Sequence, residues 1–343
     1  MKNSKLLTYL STFHKDDWTR FGHFVASPYF NSKEELIQFY EVFQQANEQE
    51  KLDKLSKKEA YQQLYPTQSF DKKKMGYLMS DLTKLIEAFF KTEKNREQNI
   101  TGDAELLDAL IDRKLYKNFE YNFRKFTKEL KATSLRDANF YLKQYLISEK
   151  AVRLRNVQQS RQSHANHQLV TEQLDRFYFT QKLQHSCSLL NNQHIVAETF
   201  AVDFLEEIIN YLDAHPPTDE ISLQAYLLAT KMLSEEESIE HYQSLKNFVL
   251  AKETALMPDD GRFLYFSLIN YAARKIRDGH RDFMEEALHL CLRLVQNESY
   301  YEDSFISPWI FKNIINLSLS VKLRSHEWVE NFINQYHQKL PAD

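Results

Sequence analysis

From Asp71 to about Lys91 the chain places Met75, Leu78, Met79, Leu82, Leu85, Ile86, Phe89 and Phe90 at spacings of three and four. This is the repeat of one face of an α-helix, and a face so apolar must be covered by other elements. The same period returns through most of the sequence, whereas β-branched residues are thinly spread and never alternate as in a strand. Only 5 Gly and 7 Pro interrupt 343 residues, well under the usual share of roughly 7% and 5%, so little stops a helix once begun. The sequence therefore predicts an all-α fold. Its 24 Phe and 19 Tyr supply large side chains for helix packing, and a charged fraction of 27% keeps the outer faces wet.

Start and stop signals divide the first hundred residues into short helices. Ser32-Lys33-Glu34-Glu35 and Ser56-Lys57-Lys58-Glu59 both fit the capping box, in which Ser accepts from the N3 amide and Glu returns to the cap amide. Pro28, within Ala26-Ser27-Pro28-Tyr29-Phe30-Asn31, ends a helix, and its aromatic neighbours are expected to plug the joint; Pro66 ends another. The polar stretch KTEKNREQNITG, 91–102, reads as the joint between an N-terminal helical module, 1–95, and the remainder, 103–340. Beyond it the pattern predicts long helices over 103–131 and 135–163, the second opened by Ser134-Leu135-Arg136-Asp137, which together form one hairpin. Further helices are expected near 168–190, 196–213, 220–233, 237–254, 260–277, 282–297, 307–321 and 326–338.

The last three hairpins look like diverged copies of one unit. Ala229-Thr230-Lys231-Met232 falls over Ala273-Arg274-Lys275-Ile276 at an offset of 44, and Ile269-Asn270 over Ile315-Asn316 at an offset of 46. The turns Ser234-Glu235-Glu236-Glu237, Asp278-Gly279-His280 and Arg324-Ser325-His326 then align, each followed by a helix opening at Ile239, Phe283 or Trp328. No such unit buries its apolar face alone, so neighbours must stack. On these residues the stretch 103–338 resembles the tetratricopeptide-like α-solenoids, and its layout is similar to bacterial helical-repeat proteins. The period near 45 is longer than the family's 34, and the Trp-Leu-Gly elements do not occur in order. The resemblance implies a protein-interaction scaffold with a groove for a partner peptide or helix. Tyr226, Asn270, Tyr271 and Asn316 would then lie on groove-facing first helices, or else serve as core tyrosines and bridging asparagines.

Chemistry is sparse. Gly22, Gly76, Gly102, Gly261 and Gly279 are isolated, so no phosphate-cradling loop can be assembled. His164, His167, His185, Cys187 and His194 cluster in sequence but lack the paired spacings of a structural zinc site. Asp278, His280 and Asp282 read as a turn and a helix cap, Asp282 acting with Glu285. No nucleophile-elbow or helix-borne His-Glu pattern is present. The expectation is a non-enzyme with no cofactor and no metal. Cys187 and Cys291 sit in apolar helical stretches as free thiols, the N-terminal apolar run Leu6 to Leu10 is too brief for a signal peptide, and no apolar stretch approaches the roughly 18–20 residues of a membrane span. A cytoplasmic protein that does not engage a membrane is expected.

Two basic surfaces support a competing reading as a nucleic-acid-binding regulator. Residues 1–100 carry 16 Lys+Arg against 14 Asp+Glu, 101–170 carry 13 against 8, and the remainder 15 against 26. Within the basic part, Lys150, Arg153, Asn156 or Val157, Ser160 and His164 fall along one helical stripe accompanied by Arg155 and Arg161. The bland expectation pairs these arginines with the acidic C-terminal half. In the N-terminal module, a helix near 57–65 and the helix opening with Lys72-Lys73-Lys74 are arranged like a helix-turn-helix, where such lysines would meet phosphates.

Overall fold

The computed structural model describes residues 4–158, 165–196, 200–235, 237–320 and 324–341. Among these the protein is all-α, with sixteen α-helices packed in sequential contacts and no strand. The chain divides into two compact units, residues 1–102 and 103–343. The first contains α1 (Lys5–Leu10), α2 (Lys15–Ala26), α3 (Glu34–Glu48), α4 (Lys57–Leu64) and α5 (Lys72–Gln98). Its core is aromatic: Phe21 lies 5.3 Å from Phe89 and 5.5 Å from Tyr40, centroid to centroid, and Met75, Leu82 and Ile86 of α5 are buried among them.

Local chemistry explains most boundaries here and corrects two. Ser56 forms its capping box with Glu59. Ser32 does not. Instead, the Asn31 side-chain oxygen accepts from the Lys33 amide while its amide group donates to the carbonyls of Val25 and Lys33, so one buried side chain ties the end of α2 to the start of α3. This is an Asx turn onto the Lys33 amide, a different donor from the Glu35 amide that a Ser32 cap would engage. Pro28 does end α2, and Phe30 stacks on Phe24 at 4.0 Å, but Tyr29 remains 88% exposed and plugs nothing. Within the polar stretch 91–102, the chain leaves the helix only at Asn99, at φ +40°; residues 91–98 are helical. They continue α5, with Glu93 paired to Arg96 in the next turn and to Arg20 of α2.

The second unit comprises α6 (Gly102–Asp112), α7 (Tyr116–Ala132), α8 (Ala138–Val157), α9 (Ala165–Val196), α10 (Leu205–Ala214), α11 (Ile221–Ser234), α12 (Ile239–Lys252), α13 (Pro258–Arg277), α14 (Phe283–Gln296), α15 (Pro308–Ser320) and α16 (His326–Tyr336). The single helix expected over 103–131 is two helices. Lys114 adopts φ +58°, its amide bonds the Ile111 carbonyl, and the Leu115 amide reaches back to Leu110, which is the Schellman arrangement. Ser134 likewise yields to Asp137, whose carboxylate caps α8 at the Phe140 amide.

From α8 onward neighbouring helices pack in order: α8 on α9, α9 on α11, and then α11–α12, α13–α14 and α15–α16 as antiparallel pairs joined by α12–α13 and α14–α15 contacts. A continuous core from Leu183 to Phe332 runs through these pairs. The turn at Gly279 is a second Schellman motif, with Gly279 at φ +99° and the His280 amide bonded to Lys275. Asp282 forms no side-chain cap, contrary to the sequence expectation, because it already has helical φ and ψ and cannot turn its carboxylate back over the first amides.

Candidate functional site

Three helices of the second unit, each presenting one face at helical spacing, enclose a cleft of about 630 Å³. Phe123, Thr127, Leu130 and Lys131 come from α7, at i, i+4, i+7 and i+8. From α8 come Phe140, Gln144, Ile147, Ala151 and Arg155, with Tyr141 and Ser148 beside them. Leu169, Gln173 and Arg176 of α9 form the third wall, and Asp219 and Glu220, just ahead of α11, close one end. Apolar and polar side chains share the walls about equally. Four cations face two carboxylates: Arg176 Nε donates to Glu220 at 2.8 Å, Arg136 lies 5.4 Å from the Phe140 ring, and Lys131 is exposed at the rim.

Polar groups in the cleft wall are incompletely satisfied. Tyr141 Oη, Gln173 Oε1 and Arg155 Nη1 are buried with no hydrogen-bond partner among the described residues. Tyr141 is 2% exposed and Gln173 3%, so neither group is hydrated by open solvent. Burial, reinforced by the Glu220 charge, pushes the Tyr141 phenol well above its ordinary range, so it remains a hydrogen-bond donor. Native proteins satisfy most such groups; these three atoms have no surface open to the cleft, and Tyr141 and Arg155 are separated by roughly 21 Å along α8.

The basic stripe expected from sequence is split by the helix. Arg153 and Arg155 are two residues apart and therefore point roughly 200° apart around α8. Arg153 donates to Asp108 at 2.5 Å and to Asp112 at 2.7 Å, Lys150 pairs with Asp108 at 3.0 Å and Lys143 with Asp103 at 2.7 Å. These partners are on α6, not in the acidic C-terminal half, and they neutralise the Lys150–Arg153 face. Arg155 alone turns into the cleft. Ser160, Arg161 and His164 lie outside the described residues.

Three of the four expected groove residues are interior or bridging. Tyr226 is 1% exposed and donates to Asp260 at 2.7 Å, and Tyr271, also 1% exposed, stacks on Tyr242 at 4.8 Å. Asn270 donates to Asn191 of α9, and Asn316 is exposed on α15. Asp260 also accepts from Ser222 at 3.1 Å. Burial raises its pKa, with Asp137 and Asp259 adding to the rise and the two hydroxyls opposing it. With both oxygens occupied, Asp260 clasps α11 to α13.

The remaining clusters do not assemble. On α9, His185 is exposed while Cys187 is fully buried, its Sγ 3.1 Å from the Thr230 hydroxyl. Burial pushes both Cys187 and Cys291 up to about 12, so both remain thiols. His167 is exposed, His164 and the His194 side chain lie outside the described residues, and no three His, Cys, Asp or Glu gather as metal ligands among the described residues. In the helix-turn-helix-like segment, Asp71 caps α5 at the Lys73 and Lys74 amides, which hold its carboxyl below the usual range. Lys74 turns inward, 3.6 Å from the Tyr65 ring centroid and 3.5 Å from Glu35, leaving Lys72 and Lys73 exposed.

Sequence reading thus reached Arg155 but missed Tyr141, Gln173, Lys131, Arg136 and Arg176. The available signal was a second face on α8, Gln144-Ser148-Ala151-Arg155, small and polar where the opposite face is charged. No helix among the described residues is long and apolar enough to cross a membrane. No family model, curated protein or solved structure matches the chain.

Proposed function

We propose that this protein is a non-enzymatic, cytoplasmic interaction scaffold, a tetratricopeptide-like α-solenoid following an N-terminal helical module, which holds a partner segment in the cleft between α7, α8 and α9. The observation that carries the reading is the cleft itself: three helices enclose it, it is large enough for several side chains, and apolar Phe123, Leu130, Phe140 and Ile147 line it beside Lys131, Arg136, Arg155 and Arg176. Apolar anchors supply affinity in such a groove, and a few placed polar groups supply selection. The sequential packing of α11 through α16 supports the solenoid description. The groove moves from the first helices of the C-terminal hairpins, whose tyrosines are spent on the core, to α7–α9.

The test is a native pull-down with the full chain, divided into nuclease-treated and untreated halves and repeated with Ala151→Trp, which fills the cleft from α8. A stoichiometric protein that survives nuclease and is lost with A151W is expected. Recovery of nucleic acid, with accompanying proteins vanishing on treatment, favours instead a nucleic-acid-binding regulator acting through exposed Lys72 and Lys73. That binding would weaken steeply with salt and would persist in A151W, whose cleft is filled.

A further inference from the structure

Arg176 and Glu220, which line the α7–α9 cleft, also line a second groove of about 200 Å³ between α9 and the segment joining α10 to α11. Its charge has the opposite sense. The cleft sets four cations against two carboxylates, whereas here Glu172, Asp175 and Glu220 face Arg176 as the one Lys or Arg in the lining, and Arg176 already donates to Glu220. Glu172 accepts only from the neutral Gln168 amide, and Asp175 has no hydrogen bond or ion pair among the described residues. Glu172, Asp175 and Phe179 stand at i, i+3 and i+7 on α9, so one helical face carries two carboxylates a turn apart and then an aromatic ring. The Phe179 ring lies 5.5 Å from that of Tyr211, which is 48% exposed and stacked at 4.6 Å on His215, and buried Leu212 and Leu223 add apolar surface. From Glu172 to Phe179 the helix rises roughly 10 Å, the length of about three residues of an extended peptide.

Two unneutralised carboxylates beside apolar and aromatic surface select a group with a cationic head on an apolar stem, which is the character of Lys and Arg side chains. An acidic segment would meet like charge, and a neutral apolar one would strip water from Asp175 without replacing it. A free polyamine would satisfy the carboxylates but bring nothing to the Phe179–Tyr211 end. We infer that this groove docks a basic peptide segment, with a Lys or Arg head at Glu172 and Asp175 and an apolar side chain about three residues away against Phe179 and Tyr211. The site is independent of the α7–α9 cleft, which repels such a segment by its four cations. Tyr211 is half exposed and Asp175 has no partner to lose, so substitutions there separate binding from folding.

The experiment selects a phage-displayed random-peptide library on the full-length protein, with the double variant Asp175→Lys, Tyr211→Ala as the counter-selecting surface, and measures enriched peptides by fluorescence anisotropy. Asp175→Asn replaces the double variant if circular dichroism shows that the latter is unfolded. The expected result is a consensus carrying Lys or Arg with an apolar residue about three positions away. Exchanging that Lys for norleucine, or Arg for citrulline, should weaken binding about fivefold, the scale of a partly exposed ion pair, and D175N should impose a similar loss. Tyr211→Phe should bind as wild type, Tyr211→Ala should bind more weakly, and A151W should leave affinity unchanged. A consensus without a basic residue overturns the inference, as does binding indifferent to D175N. Peptides that lose affinity in A151W but not in D175N occupy the α7–α9 cleft, which overturns this site and supports the scaffold reading. No enrichment over the counter-selecting surface overturns this site and leaves the cleft reading standing. Spermidine displacing the peptides at equal concentration overturns the peptide assignment in favour of a small amine.

Discussion

At single residues, backbone conformation makes the clearest predictions. Glu50, at φ +55°, and Lys114, at φ +58°, occupy the same left-handed position after a helix that Gly279 fills elsewhere. The left-handed region costs an ordinary L-residue roughly 1–2 kcal/mol, against roughly 0.5–1 kcal/mol of extra freedom that glycine loses on folding. Lys114→Gly is therefore expected to stabilise the fold by about 0.5–1 kcal/mol, read from the urea midpoint at unchanged slope; a loss of stability would show that the Lys114 side chain contributes more than its backbone costs. Gly261 gives the opposite case. A Cβ built there would lie 2.7 Å from Tyr300 Cε1, and that ring is buried. Gly261→Ala should cost about 1–3 kcal/mol by overpacking, and most of that cost should disappear in a Tyr300→Ala background, where the clash is absent. Additive effects would place the strain elsewhere. The turn at Gly279 was legible because Asp-Gly announces it, whereas nothing in Asp112-Arg113-Lys114-Leu115 distinguishes a left-handed lysine from one within a continuing helix. That is why one long helix was expected where α6 and α7 stand.

Between elements, the sequence is informative about which residues are apolar and poor at choosing among polar partners. The buried face of α5 follows its periodicity from Met75 to Phe89, with only Phe90 left 38% exposed at the edge. By contrast, α8 carries charge on one face and polar residues on the other. Their assignment depends on Asp103, Asp108 and Asp112 arriving from α6, a long-range event that no local pattern records. Arg153 and Arg155 look equivalent in sequence and have opposite fates for this reason. The Asp260 clasp between α11 and α13 has the same long-range origin and a testable pH signature. Its pKa is raised in the folded state, chiefly by burial, so the folded chain holds this proton at pH values where the unfolded chain, near 3.9, has released it. More protons are bound folded than unfolded across that window, and stability falls as pH rises through it. Asp260→Asn keeps an acceptor for Tyr226 and does not titrate. The stability of wild type relative to D260N, from urea unfolding, should therefore decline as pH increases from 4 and level off above the raised pKa. A pH-independent difference would mean that Asp260 is not the titrating group.

For the whole molecule, the decisive fact is how the hydrophobic clusters partition. One runs from Leu6 to Phe89, a second from Leu107 to Leu154, and the third from Leu183 to Phe332. The first lies wholly within the unit 1–102, whose five helices bury Trp18, Phe21, Phe39, Phe43 and Tyr61 among themselves. Roughly a hundred residues with such a core exceed the size below which a domain needs a disulfide or metal to fold. Residues 1–102 expressed alone are therefore expected to unfold in one cooperative transition with an enthalpy of about 60–80 kcal/mol, followed by calorimetry and near-ultraviolet circular dichroism of Trp18. The α7–α9 cleft lies entirely in the other unit, so this fragment should also fail to recover the partner captured by the full chain. A broad melt with exposed apolar surface would mean that the aromatic core is incomplete without the remainder. Recovery of that partner by the fragment would remove the cleft from the mechanism altogether.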